Sequence, residues 1–536
     1  MKALKINIIV LLMCCSAALS GQSKGDYTFE KMEWQNPLLQ SSNAAFMRLS
    51  DTLLTTLGGS FTDLNAGVLH KAGSFRNAYD PKSSTDAVLD VKSYTRLGKL
   101  YLSGSFGYDY TWMRQARLLG LNEPARSPFM LTDTIPGNAS DEFYRLQAAA
   151  ALPLGEKFTI ATDLRYTAGM MAKKKDLRNL NTLMNFEFRP ALSYTAGPFT
   201  AGVTAGIRRR TELIEYKQID SSTEKYIFEI SGLWTCNAQG YSDSESTRSK
   251  RYKQTASYLA GAALQYNTGN LVWTAQFDMD RSNDKQGETK YNNFKAGDYE
   301  SLLLNGSTSL QFGLKHRLSA SYSNEKGAGY KYLQRQELDP ASMVRQWVDY
   351  ARYNCYSDRY SNLDASYTFR QAESLTSISW GATAGFGMSD RERAYTEYPQ
   401  RFCQDYRTLS ASLSFTKYLY FNNLNIEITP SAAYTTSPDG TMFDTVNEDE
   451  GHISITSSGT KEFVLTSALR QEYGYLTADV LSAGLKLRLS RQLEKATIYG
   501  VINAGGWAGS VTDCTDPSSV TLQKRGCSSL TIGFIF

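Results

Sequence analysis

The chain finishes on SSLTIGFIF, residues 528–536. Leu530, Ile532, Phe534 and Phe536 fall on one side of an extended segment, and Ser529, Thr531 and Gly533 on the other; Ile535 breaks the pattern. A period of two means a strand with one apolar and one polar face. A free C-terminus frays unless something holds it, so an apolar one is expected to be tied into a larger sheet.

The same alternation recurs along the chain. In LYLSGSFGYDYT (100–111), Leu102, Phe106, Tyr108 and Tyr110 oppose Tyr101, Ser103, Ser105 and Asp109. In FTIATDLRYTA, Phe158, Ile160, Leu164 and Tyr166 oppose Thr159, Asp163 and Arg165. Segments of this kind, from 57–66 to 528–536, predict eighteen strands. Alternation alone does not say which face is wet, because a soluble sandwich alternates too. The connections decide. Brief turns such as LGK, AGP and NTGN alternate with long intervals at 113–141, 211–253, 325–359 and 435–476. One end of the structure therefore differs from the other, as periplasmic turns differ from extracellular loops in a transmembrane barrel. A soluble propeller also repeats short strands, but does not segregate loop length in this way. The expected fold is all-β: an antiparallel up-and-down barrel of about eighteen strands, sixteen to twenty at the limits. Pro190 and Pro430 lie inside predicted strands and are expected to mark bulges or bends.

Composition agrees. The 57 Lys and Arg against 53 Asp and Glu leave no basic surplus, which argues against a nucleic-acid partner. No stretch has eighteen consecutive apolar residues, so no membrane helix is expected, while transmembrane strands escape hydropathy averages. Residues 1–20 read as a signal peptide: Lys2 and Lys5 are the basic start, 6–15 the apolar core, and Ala18-Leu-Ser20 the cleavage site before Gly21. A lipoprotein cysteine at Cys14 or Cys15 fits poorly beside large residues and a second Cys. Residues 21–56 are then a periplasmic or lumen-inserted segment, and 57–536 the barrel.

A last strand with Ile532, Phe534 and Phe536 resembles the C-terminal signal of Gram-negative outer-membrane barrel proteins. That resemblance implies an outer-membrane location, periplasmic termini, and Phe534 and Phe536 as the signal read by the barrel-insertion machinery. The cleavage region and EWQNPLLQSSNAAFMRL (33–49) resemble uncharacterised outer-membrane barrels of Bacteroidota. Asn36-Pro37 and Asn43-Ala-Ala45 are similar to the fatty-acid-transporter type, whose N-terminus lies inside the barrel. The barrels of active transporters hold a separate plug domain; the residues before the first strand here are too few for one.

The candidate site residues are those whose charge faces the interior. Asp163, Arg165, Glu187, Arg189, Arg208 and Arg210 lie on three successive predicted strands and would line the lumen, as would Asp278, Asp280, Lys486 and Arg488. Such a wall either selects solutes by charge or stabilises the lumen with ion pairs. Asp278 and Asp280 could form half of a calcium site, but no further ligands stand nearby in sequence. Hydrolytic chemistry would need one of three histidines, His70, His316 or His452, beside Ser or Asp, and no motif places one so. Cys514 and Cys527 bracket one short segment and could form a disulfide. LDPASMVRQWVDYAR (338–352) has the spacing of a loop helix, with Asp339 as cap. Tyr108, Tyr110, Tyr166, Tyr194, Tyr258, Tyr266 and Trp380 suit interfacial girdles.

These readings point to a non-enzymatic channel or transporter for a small solute, with outer-membrane lipid around it and no cofactor or metal. The alternative is a non-conducting scaffold whose loops bind surface lipoproteins or other ligands; a hydrolase is the remote one.

Overall fold

The computed structural model describes residues 28–56, 58–220, 222, 225–240, 250–288, 294–341, 343–374, 377–397, 400–444, 454–455, 461–464, 466–494, 496–512 and 519–536. Among them, eighteen strands form one antiparallel sheet that closes on itself. The first strand, Ser60–Gly73, pairs on one side with Ser83–Leu97 and on the other with the last, Val520–Ile535. Asp63 faces Ile535, His70 faces Ser528, and Thr62 and Phe536 exchange backbone hydrogen bonds of 2.7 and 2.9 Å. Closure is what ties in the apolar C-terminus: an open edge would leave a row of backbone groups unpaired in lipid.

At one end every hairpin turns within a few residues. The turn at Gly197, for example, needs the left-handed backbone there (φ +57°), which glycine adopts without strain. At the other end the connections are longer, but shorter than expected, because the strands run on past the membrane. The interval 325–359 is the clearest correction. Instead of a loop with a helix at 338–352, strands His316–Leu338 and Arg345–Ala372 pair from His316↔Phe369 out to Leu338↔Arg345. Asp339 does cap, accepting from the Ala341 amide at 3.0 Å, but it caps a tight turn. An Asp-Pro start suits a turn as well as a helix, and Trp347, Val348, Tyr350 and Tyr353 favour strand once a partner lies alongside. Pro190 and Pro430 make no bulge. Pairing resumes beyond each in the same register, from Phe188↔Ile207 to Ala191↔Thr204 and from Ser414↔Ser431 to Lys417↔Ile428.

The outer surface is apolar. Leu164, Phe188, Ile207, Leu413, Leu485, Leu530, Ile532 and Phe534 are all exposed. Ring contacts of 4.8–5.8 Å join Phe158–Tyr194, Phe199–Tyr266, Phe369–Trp380 and Trp380–Phe415 near the short-turn rim. Tyr108 and Tyr144 make a tilted ring contact at 5.0 Å towards the opposite rim. Two aromatic belts around an apolar band are the pattern of a membrane-spanning barrel.

The interior is filled from both ends. From the short-turn side, residues 28–56 enter as a helix, Phe29–Gln35, two 3-10 turns, Pro37–Gln40 and Ala44–Ser50, and a second helix, Asp51–Thr56. Thr28 caps the first helix by accepting from the Lys31 amide at 3.2 Å, and Asn43 accepts from Ala45 at 2.9 Å. Phe29, Met32, Met47 and Leu54 bury against Phe61, Tyr94, Tyr101, Tyr499 and Ile535 of the wall. The odd residue in the terminal pattern thus has its place: Ile535 turns inward, 1% exposed, under the N-terminal segment.

From the other side the long connections fold into a cap. Five short strands, Met130–Thr132, Tyr226–Gly232, Thr235–Gly240, Ser454–Ile455 and Lys461–Val464, form a separate sheet, and the helix Thr466–Leu476 follows. Phe129, Leu131, Ile230, Trp234 and Leu469 pack with Tyr299, Tyr356, Tyr395 and Phe402 of the barrel strands.

Candidate functional site: a lumen divided lengthwise

One wall of the lumen carries a ladder of ion pairs. On Phe158–Lys173 and the strands after it, Arg165 meets Asp163 at 2.7 Å and Glu187 at 3.7 Å, and Arg189 meets Glu187 at 2.6 Å. Arg208 lies 4.0 Å from Glu187 and 2.6 Å from Asp280. Arg210 reaches Glu123 of the 117–136 connection at 2.8 Å. Adjacent strands bring Asp163, Arg165, Glu187, Arg189, Arg208, Arg210 and Asp280 together; Glu123 has no signal in sequence, since it lies outside any strand. Asp278 accepts instead from Ser42 of the N-terminal segment at 2.6 Å. No calcium-like pairing of Asp278 with Asp280 results, because each carboxylate is engaged elsewhere. Lys486 and Arg488 sit apart from the ladder: Lys486 pairs with Glu427 at 3.1 Å, and Arg488 lies over the Tyr499 ring at 4.2 Å.

Glu123 also approaches Arg126 at 3.5 Å. Burial alone would raise its carboxyl, but Arg210 and Arg126 outweigh burial and hold it below the ordinary glutamate value. Around this clasp lies a chamber of about 220 Å³, where Lys253 pairs with Asp284 at 2.9 Å and Glu325 adds a further carboxyl.

The opposite wall is different in kind. Level with the N-terminal segment, the inward positions there are serines, glycines and one acid: Ser309 pairs with Ser319, Ser307 with Ser321, Ser366 with Gly385, Asp364 with Gly387, Gly385 with Ser412 and Gly387 with Ser410. Further from the short turns the same strands carry charges again, with Arg391 meeting Asp358 at 2.7 Å. The signal was present in sequence as serine at every second position, in STS (307–309), SASYS (319–323) and SASLS (410–414). A search for inward charges passes over it. This wall and Pro37 and Gln40 of the N-terminal segment enclose a cavity of about 350 Å³. A second, of about 540 Å³, lies at the short-turn end beside Gln35 and Asn36, lined by Asn267, Asn270, Gln311 and Lys315.

A single contact set stands between these two cavities. Arg317, which lines the upper one, donates to Gln311, which lines the lower, at 2.7 Å, and also to the Trp34 carbonyl. Its guanidinium lies 3.9 Å from the Trp34 ring centroid; that of Arg370 lies 3.8 Å from it and pairs with Glu30 at 2.8 Å. The N-terminal segment packs on the strands Gly137–Leu154, Phe158–Lys173 and Arg178–Ala196, and the serine wall faces it across the cavity.

The remaining candidates lie outside this arrangement. His70 contacts Thr85 at 2.9 Å and His316 contacts Tyr367 at 2.8 Å, neither beside a Ser–acid pair. His452 and Cys514 fall outside the described residues, so the Cys514–Cys527 pairing does too.

Closed sheet, apolar exterior, aromatic rims and polar interior together define a transmembrane β-barrel of the outer-membrane type. The chain belongs to the family of unknown function DUF6850, whose model matches residues 52–536. No curated protein matches it. Among solved structures, it is similar to the RagAB peptide importer in the closed-closed state (8% identity, TM-score 0.37, 89% of this chain and 86% of that one). It is also similar to the outer membrane transporter YddB from Escherichia coli (8%, 0.38, 88% and 81%). A third is the TodX deltaS2S3 mutant monoaromatic hydrocarbon channel (11%, 0.32, 93% and 94%).

Proposed function

We propose that this protein, exported by its signal peptide and inserted with both termini in the periplasm, carries a small polar solute across the outer membrane. The route runs beside the N-terminal segment, not through an open centre. One observation carries this reading: the two largest lumen cavities described above lie on the same side of residues 35–40, parted by the Arg317–Gln311 and Trp34 contacts. Moving one short segment would join them. The ladder wall serves a structural part, since its charges are matched in pairs. The chemistry is positioning and passage, with no catalytic step.

A second reading has an observation of its own. The hairpin tip, 331–338 with 345–355, continues past the last pairing of each neighbour, Asp298↔Tyr330 and Tyr356↔Tyr395. Leu333, Leu338, Met343 and Tyr350 are exposed on it. A filled lumen with a projecting hairpin suits a surface scaffold that docks lipoproteins. Planar-bilayer recording separates the two. Passage predicts rare, brief openings in the intact protein and steady ohmic steps after deletion of 28–56; silence from both proteins favours the scaffold.

A further inference from the structure

We propose that the serine-walled cavity is a binding site for a small uncharged polyhydroxylated solute, of the saccharide class, on its way through the barrel. This rests on the passage reading above and adds what passes. About 350 Å³ lies at the small end of the roughly 300–1,000 Å³ range of small-molecule sites.

The site is built by the converging groups and not by small size alone. A Cβ on Gly387 would stand 2.5 Å from Ser410 Oγ and 2.9 Å from Asp364 Oδ1; one on Gly385 would stand 2.5 Å from Ser412 Oγ. Glycine at these two positions leaves room for two hydroxyls and a carboxylate to meet at the cavity wall. Across from them, Ser307, Ser309, Ser319 and Ser321 supply four more hydroxyls, Gln40 an amide from the N-terminal segment, and Arg317 a guanidinium at the lower boundary.

The chemistry of that lining selects by kind. A serine hydroxyl both donates and accepts, so a polyol can exchange its water hydrogen bonds for wall hydrogen bonds nearly one for one. Asp364 accepts from neighbouring hydroxyls of such a ligand, as it already accepts from Asn362. An ion gains less. The two charges in the lining are already engaged, Asp364 with Asn362 and Arg317 with Gln311 and the Trp34 carbonyl, and the charges of the far wall are matched with one another.

The test uses the full chain in proteoliposomes and in detergent, with maltose as the neutral probe and sodium gluconate as the charged one. The expected result is faster swelling in maltose than in gluconate, with maltose retained in equilibrium dialysis. Gly387→Leu, which fills the cavity, should lower maltose retention at least tenfold. Should that variant fail to fold, Ser410→Ala with Ser412→Ala removes hydroxyls without adding bulk and should weaken retention severalfold. Ion conductance with no preference for maltose and no maltose retention would overturn the site while leaving passage intact. Maltose retained by a barrel that passes neither solute would support the site and overturn the passage. Absence of both retention and passage would overturn both.

Discussion

The guanidinium of Arg317 lies 3.9 Å from the ring centroid of Trp34, 283 residues away in sequence. A cation over an indole contributes about 0.5–1 kcal/mol when exposed and about 2 or more when desolvated. This stack and the matching one from Arg370 hold the first helix together with the Arg370–Glu30 and Lys92–Glu33 ion pairs, at 2.8 and 3.0 Å. Trp34→Ala should therefore raise the open probability in bilayers and expose 28–56 to protease added on the short-turn side. Unchanged recordings from Trp34→Ala and from the Arg317→Ala, Arg370→Ala pair would mean the segment is held by its apolar face alone.

Glu123 ties the 117–136 connection to the wall through Arg210. Because its folded carboxyl sits below the ordinary value of 4.5, the clasp is complete above that value and is lost as pH falls through the lowered one. The protection of 117–136 against hydrogen exchange, corrected for the intrinsic slowing of exchange in acid, should be high at neutral pH and fall in acid. Glu123→Gln should remove most of that fall; an identical acid profile in the variant would assign the effect to another carboxylate.

Asp133 and Lys173 form an ion pair with no side-chain exposure at either partner. Removing one partner of such a pair costs about 3–5 kcal/mol, since the other charge is left buried. Burial pushes the Asp133 carboxyl up, so protonation relieves the cost: a group with a raised folded pKa contributes its penalty as pH rises, not as it falls. Lys173→Met should lower the thermal midpoint strongly at pH 8 and much less at pH 5. Equal losses at the two values would rule out a stranded carboxylate as the cause.

The two faces of the last strand should respond oppositely. Ile535 is buried under Phe29 and Met32, and truncating it to Ala should cost about 2–5 kcal/mol and loosen the N-terminal segment. Leu530 faces outward, and Leu530→Ala should leave that segment as protected as before. Greater protease sensitivity in Leu530→Ala than in Ile535→Ala would reverse the assignment of the faces.

The barrel was legible because its signal is local. Alternation within SSLTIGFIF, or within the SASYS and SASLS segments, is a property of neighbouring residues, and so are the brief turns between strands. Strand number, closure and the lipid-facing side follow from reading such stretches in order. The terminal Ile535 was visible as an exception, but not its reason, because the residues that bury it stand at the far end of the chain.

What only the tertiary structure decided are meetings across long separations. Residues 338–352 have the spacing of a helix, and the pairing partner alongside selected the strand instead. The inward charges could be named from alternation, but their division into a matched ladder on one side and a hydroxyl wall on the other depends on which strands curve to face each other. The Arg317–Trp34 stack, the Ser42–Asp278 bond and the cap over the mouth have no counterpart in any local pattern. Periodicity records which way a side chain points; closing the sheet determines what it points at.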